Sequence, residues 1–147
     1  MLLVRNRKAL YNNVLLEKLV AGIVLKGYEV KAIREGKASF EGSYITMREN
    51  KAFVVNMHIS RYSKQSQDVS DEEATRQRQL LLTKDELNKL ERELRQKGKT
   101  AVPLALILEH NLIKLELAIV KGRKEFEKKH LEKERQIQKD LKSNIWG

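Results

Sequence analysis

The chain has 147 residues, enough for one ordinary domain, with 41% hydrophobic residues to fill a core and 34% charged residues that leave part of it outside. Thirty Lys and Arg against twenty Asp and Glu give a formal net charge of +10, a field that gathers polyanions. The lack of cysteine excludes disulfides, zinc ribbons, thiol nucleophiles and iron–sulfur centres, and no apolar run approaches the ~20 residues of a membrane-spanning helix. Met1-Leu2-Leu3-Val4-Arg5 is too short for a signal peptide. The expectation is a soluble cytoplasmic protein with an acidic polymer as partner.

From Asn13 to Leu25 the sequence is rich in Val, Leu and Ile but has no clean period, so helix and strand are both open. Gly22 and Gly27 favour a strand that bends, because a helix would lose about 1 kcal/mol at each. Tyr28 to Arg34 fits a short helix ended by Gly36. Ser39 to Ser60 reads as a hairpin about Arg48-Glu49-Asn50-Lys51, and Ser60 to Glu73 as a polar loop. Ser70 with Glu73, and Thr83 with Glu86, have capping-box spacing; the second pair precedes Leu87, Leu90 and Leu94, and Gly98 stands where a left-handed cap would end that helix.

Thr100 to Lys121 is the clearest strand pair. It folds about Glu109-His110-Asn111, and Ile113, Leu115, Leu117 and Ile119 alternate with Lys114, Glu116, Ala118 and Val120. One face should be buried and one largely wet. Pro103, with no N–H to give, belongs on an edge or at the strand's first residues. After Gly122 charge of both signs dominates, with Phe126, Leu131, Ile137 and Leu141 as isolated apolar residues. The expected architecture is mainly β with α. Residues 1–122 form an OB-like antiparallel β-barrel with short flanking helices, and 123–147 a basic C-terminal tail, disordered when free and helical when a partner holds it.

Catalysis finds little footing. His58, His110 and His130 have no second ligand at metal-binding spacing, and there is no phosphate-cradling Gly-rich loop or nucleophile elbow. The acidic runs Asp71-Glu72-Glu73 and Asp85-Glu86 sit at helix starts, where they suit the dipole. No enzyme, metal or cofactor is expected. The basic residues gather in three places: Arg5-Asn6-Arg7-Lys8, Arg76-Gln77-Arg78 and Lys121-Gly122-Arg123-Lys124. Guanidinium forks suit phosphate and stack on bases, which points to nucleic acid.

In order along the chain, Asn6-Arg7-Lys8-Ala9, Ala21-Gly22-Ile23-Val24-Leu25-Lys26-Gly27-Tyr28-Glu29-Val30-Lys31 and Arg34-Glu35-Gly36-Lys37 resemble the opening of the SsrA-binding proteins, the small protein B family. Ser43-Tyr44, Asn56-Met57-His58-Ile59, Arg76 through Leu82, Lys97 through Leu104 and Leu117 through Lys124 continue the resemblance. It implies an OB-like barrel that binds the tRNA-like domain of transfer-messenger RNA and delivers it to stalled ribosomes for trans-translation. The RNA contacts it implies are Asn6, Arg7, Lys8, Glu29, Lys31, Arg76, Arg78, Leu81, Lys121, Gly122, Arg123 and Lys124. The tail, through Phe126, Lys128, Lys129, Lys133, Arg135, Lys139, Lys142 and Trp146, would enter the ribosome's decoding centre and message channel. The implied state is a monomer on the RNA, in a bacterial cytoplasm or inside an organelle.

Local readings compete at several positions. Glu29 could serve a nearby Lys, Leu81 on its apolar run reads first as core, and Tyr44 likewise, whereas Phe126 is the better stacking candidate. The chain departs from the family pattern at Val20, at Tyr11-Asn12-Asn13, at Ser60-Arg61-Tyr62, at Glu73-Ala74 and at Glu127-Lys128-Lys129, which suggests a divergent lineage. A general single-strand-binding OB module is the alternative, and an aromatic content of only 5% counts against it.

Overall fold

A computed structural model describes residues 1–65 and 68–122. In chain order these form β1 (Leu2–Arg5), β2 (Asn13–Ile23), α1 (Gly27–Arg34), β3 (Ala38–Ser39), β4 (Tyr44–Arg48), β5 (Lys51–Val55), β6 (His58–Ile59), α2 (Asp71–Ala74), β7 (Arg78–Leu81), α3 (Lys84–Leu94), β8 (Lys99–Glu109) and β9 (Leu112–Gly122). The main sheet runs β1-β8-β4-β5-β7-β2-β9, and β9 also pairs with β8. Six antiparallel strands therefore close into a barrel, with β1 added on the edge of β8. Closure satisfies backbone groups that an open edge would leave to solvent.

Both expected hairpins form, and for a visible reason. Glu49 and Asn50 take φ of 50° and 64°, and His110 and Asn111 take the same pair of values. Two successive left-handed residues make the primed turn whose twist matches the strands it joins. In the core that the strands share with α1 and α3, Ile33, Leu80, Leu90, Leu106, Leu115, Leu117 and Ile119 are 0–2% exposed. Each such side chain contributes roughly 1.5–3 kcal/mol by leaving water.

The missing period in β2 has a structural cause. Its register against β9 slips between Leu15 and Glu17, so the inward set changes phase within one strand. Beyond the slip Leu19 and Ala21 point into the core, while Val14, Leu15, Leu16 and Val20 stay exposed. Gly22 sits between two neighbours, Lys114 of β9 and Leu81 of β7. Gly27 does not bend the strand; it opens α1, which stops before Gly36 at φ 76°.

Other expectations are corrected. The first basic cluster begins on the last residue of a strand, β1, which the sequence does not announce. Ser70 does cap a helix, accepting from the Glu73 N–H at 3.2 Å, but α2 has only 4 residues because Arg78–Leu81 must pair with β5 and β2 to close the barrel. Gly98 (φ 83°) does not cap α3, whose C-cap is Arg95; it shapes a turn in which the Lys99 N–H donates to the Gln96 carbonyl at 3.2 Å. Pro103 lies mid-strand, where a register slip between Pro103 and Ala105 absorbs its missing N–H. On β9, Ala118 and Val120 are fully buried, so the expected wet face is interrupted in the second half of the strand. The 123–147 tail lies outside the described residues.

Candidate nucleic-acid interface

The strand period decides which members of the second basic cluster face outward. In β7, Arg78 and Leu80 point inward, and Leu81, expected in the core, is 55% exposed. Arg76, just ahead of the strand, keeps a quarter of its side chain in solvent. Glu29 and Arg78 are both at 0% exposure. Burying such charges is tolerable only with full pairing, and that pairing is present. Glu29 accepts from the Lys26 N–H at 2.8 Å, from the Arg76 guanidinium, and from Arg78 Nε at 2.7 Å. Arg78 spends its remaining donors on the carbonyls of Met57 at 2.5 Å and Ala74 at 2.9 Å. Burial pulls the Arg78 guanidinium pKa down, and the Glu29 carboxylate opposes that pull.

A second ring of contacts surrounds this cluster. Glu73 accepts from Tyr28 Oη at 2.8 Å and pairs with Lys26. The Lys26 and Tyr28 bonds hold the Glu73 carboxyl below the usual carboxylate range. Burial first, and then the bond to Glu73, push the Tyr28 phenol up to about 12. The Nε of Arg76 is enclosed without a hydrogen-bond partner among the described residues. Nearby Leu81 leans over Gly22, where an added Cβ would come within 3.3 Å of Leu81 Cβ. The junction of α1, α2 and β7 thus offers a fixed guanidinium, an ammonium from Lys26 and an exposed leucine.

The other basic groups gather at the far end of β2. Asn6 fastens the loop after β1 to the slip in β8, its N–H donating to the Leu104 carbonyl at 2.8 Å and its Nδ2 to the Pro103 carbonyl at 2.7 Å. Arg7 and Lys8 project from that loop into solvent, beside Leu10 and Tyr11, which are 40% and 78% exposed. Asn13 joins this loop to the end of β9: its Nδ2 donates to the Ala9 carbonyl at 3.1 Å, and it stands opposite Gly122 in the sheet. Lys121 is paired with Val14 next to it. Arg5, Arg7 and Lys18 flank a groove of about 890 Å³ floored by Leu104, Ala105 and Leu15.

The structure therefore groups Asn6, Arg7, Lys8, Lys121 and Gly122 at one end of β2, and Glu29, Arg76, Arg78 and Leu81 at the other. Asn13 and Gly22 are nine residues apart on β2, about 30 Å at ~3.3 Å per residue. Lys31 stands apart, exposed above the Tyr62 ring. Arg123, Lys124 and the tail candidates Phe126, Lys128, Lys129, Lys133, Arg135, Lys139, Lys142 and Trp146 lie outside the described residues. Tyr44 is 44% exposed rather than packed in the core. Sequence reading missed Lys26 and Tyr11. The N-cap position of Lys26, three residues before Glu29, was a signal for the first; no periodic signal marks Tyr11.

Among the described residues no helix is long and apolar enough to cross a membrane. Residues 3–146 match the family model described as SmpB protein. The SsrA-binding protein of Treponema denticola is 38% identical over 144 residues, covering 98% of this chain and 92% of the relative. That of Acholeplasma laidlawii is 39% identical over 146 residues, covering 99% and 97%. A chain from a solved structure described as "tmRNA-SmpB: a journey to the center of the bacterial ribosome" superposes with a TM-score of 0.68 at 38% identity, over 82% of this chain and 84% of that one. A match along nearly the whole length, on a barrel that sets cations at both ends of one strand, places this chain in the SmpB protein family.

Proposed function

We propose that this protein binds the tRNA-like domain of transfer-messenger RNA and delivers it to stalled ribosomes for trans-translation. The observation that carries this reading is family membership over residues 3–146, and the two cationic ends of β2 are consistent with it. The protein is an RNA adaptor, working as a monomer where ribosomes translate, in a bacterial cytoplasm or an organelle. Residues 1–122 grip the RNA, and 123–147 form the tail that becomes helical on entering the decoding centre and message channel.

One grip consists of Asn6, Arg7 and Lys8 with Lys121, Gly122, Arg123 and Lys124. The other consists of Arg76 and Leu81, with Lys31 further along α1. Glu29 and Arg78, lacking solvent-exposed surface, hold Arg76 in place instead of touching RNA themselves. Phe126, Lys128, Lys129, Lys133, Arg135, Lys139, Lys142 and Trp146 meet the ribosome.

Two measurements test this. RNA recovered with the protein from native cells should carry a tRNA-like end joined to a short reading frame. A chain ending at Lys124 should bind that RNA normally and fail to support peptide tagging on stalled ribosomes. Normal tagging by the truncated chain would refute the role of the tail. Equal affinity for random single strands would favour the general OB module instead.

A further inference from the structure

We propose that the C-terminal end of α1 carries an additional pocket for an RNA phosphodiester, belonging to the same transfer-messenger RNA that Arg76 faces; the inference rests on the function proposed above. Lys31, Arg34, Glu35, Tyr62, Ser63 and Lys64 line a shallow concavity of about 420 Å³. Lys31 and Arg34 are three residues apart on α1 and share a face. Lys64 approaches them from the segment after β6. The Lys31 ammonium lies 5.2 Å from the centroid of the Tyr62 ring, a cation–π contact that steadies it at the pocket wall.

The pocket's single carboxylate is already engaged. Glu35 accepts from the Ser63 hydroxyl and from the Ser63 N–H, and Lys37 stands 3.7 Å away. These bonds keep the Glu35 carboxyl ionised below the usual carboxylate range. Among the described residues, no carboxylate lies within ion-pairing distance of Lys31, Arg34 or Lys64.

Cations in a last helical turn answer the dipole, but the end of a helix carries only about half a negative charge. Three cations against that half charge and one carboxylate leave an excess of roughly one and a half positive charges, of which one phosphodiester cancels about one. A guanidinium fork with two ammonium groups also matches the tetrahedral oxygens of phosphate. The 8 residues of α1 span about 12 Å, so a strand lying along the helix meets Arg76 and Lys26 at one end and this pocket at the other.

The test is a titration of the full chain against a labelled transcript of the tRNA-like domain, followed by anisotropy between 50 and 200 mM salt. Arg34→Ala combined with Lys64→Ala should flatten the log–log salt dependence by about 0.7 to 0.9, as for the loss of one phosphate contact. A control pair on α3, Lys84→Ala with Arg92→Ala, removes the same charge and should change the slope by less than half as much. Equal slopes for the two pairs, with wild-type binding intact, overturn the pocket. A wild-type protein that binds this transcript no better than an unrelated folded RNA overturns the function itself. If the Arg34/Lys64 pair binds the transcript normally and loses tagging only on ribosomes, the pocket serves ribosomal RNA and the assignment made here fails.

Discussion

Arg76 and Arg7 both belong to the proposed RNA grips, but the protein holds them in opposite ways. Arg76 is clamped against Glu29, which is fully buried and also bound by Arg78. Arg7 stands on a loop whose backbone is fastened through Asn6, while its own side chain is exposed. The first arrangement costs desolvation at folding and fixes the guanidinium before any ligand arrives. The second leaves the side chain to order itself on binding. Of the two basic ends of β2, one is thus rigid and one adaptable, and only the rigid one is tied to a buried charge cluster.

Removing the buried acid should separate the two most sharply. Glu29→Ala strands two guanidinium groups and should lower stability by ~3–5 kcal/mol in urea unfolding. Arg7→Ala, at an exposed position, should stay within about 0.5 kcal/mol. A cost below 1 kcal/mol for Glu29→Ala would show that the clamp does not hold the fold. Next in size, Leu81→Ala should weaken binding of the tRNA-like RNA by about tenfold, ~1.4 kcal/mol, while the unfolding midpoint barely moves, because the side chain lies over half in solvent. A large stability loss with unchanged binding would return Leu81 to the core.

Smaller still is the effect of Arg7→Ala on binding: the salt slope should flatten by about 0.7 to 0.9, as for one phosphate contact. An unchanged slope would make Arg7 ordinary surface. The smallest effect concerns pH. The Tyr28 phenol is raised to about 12, so its protonated form is favoured by the fold. The stability it lends is fully present below the ordinary tyrosine value near 10 and fades as pH climbs from there through about 12. Phenolate absorbance should show one tyrosine titrating late, and Glu73→Gln should bring it earlier. A late tyrosine untouched by Glu73→Gln would break the link between them.

How much of this was legible in the sequence depends on what kind of signal carried it. Hairpins written in local turn chemistry, Glu49-Asn50 and His110-Asn111, were readable, as was the Thr83–Glu86 capping box, where both reciprocal bonds form at 3.2 and 3.0 Å. Elements defined by long-range pairing were not. β1 is 4 residues long and makes sense only beside β8, and β7 only between β5 and β2. For the site, the cluster Arg76-Gln77-Arg78 reads in sequence as one basic patch. Once Arg78–Leu81 is a strand, its period of two sends Arg78 in and Leu81 out, reversing what side-chain polarity alone suggests. Glu29 was readable as a helix cap, yet nothing local announces that it also neutralises two arginines 47 and 49 residues away.

The most direct test is ultraviolet crosslinking of the full chain to the tRNA-like domain of transfer-messenger RNA, with the crosslinked peptides identified by mass spectrometry. Two gripping ends predict adducts in both the 5–11 and the 76–81 segments and none on α3. Adducts confined to one segment, or spread evenly over α3 as well, would contradict a grip made at both ends of β2.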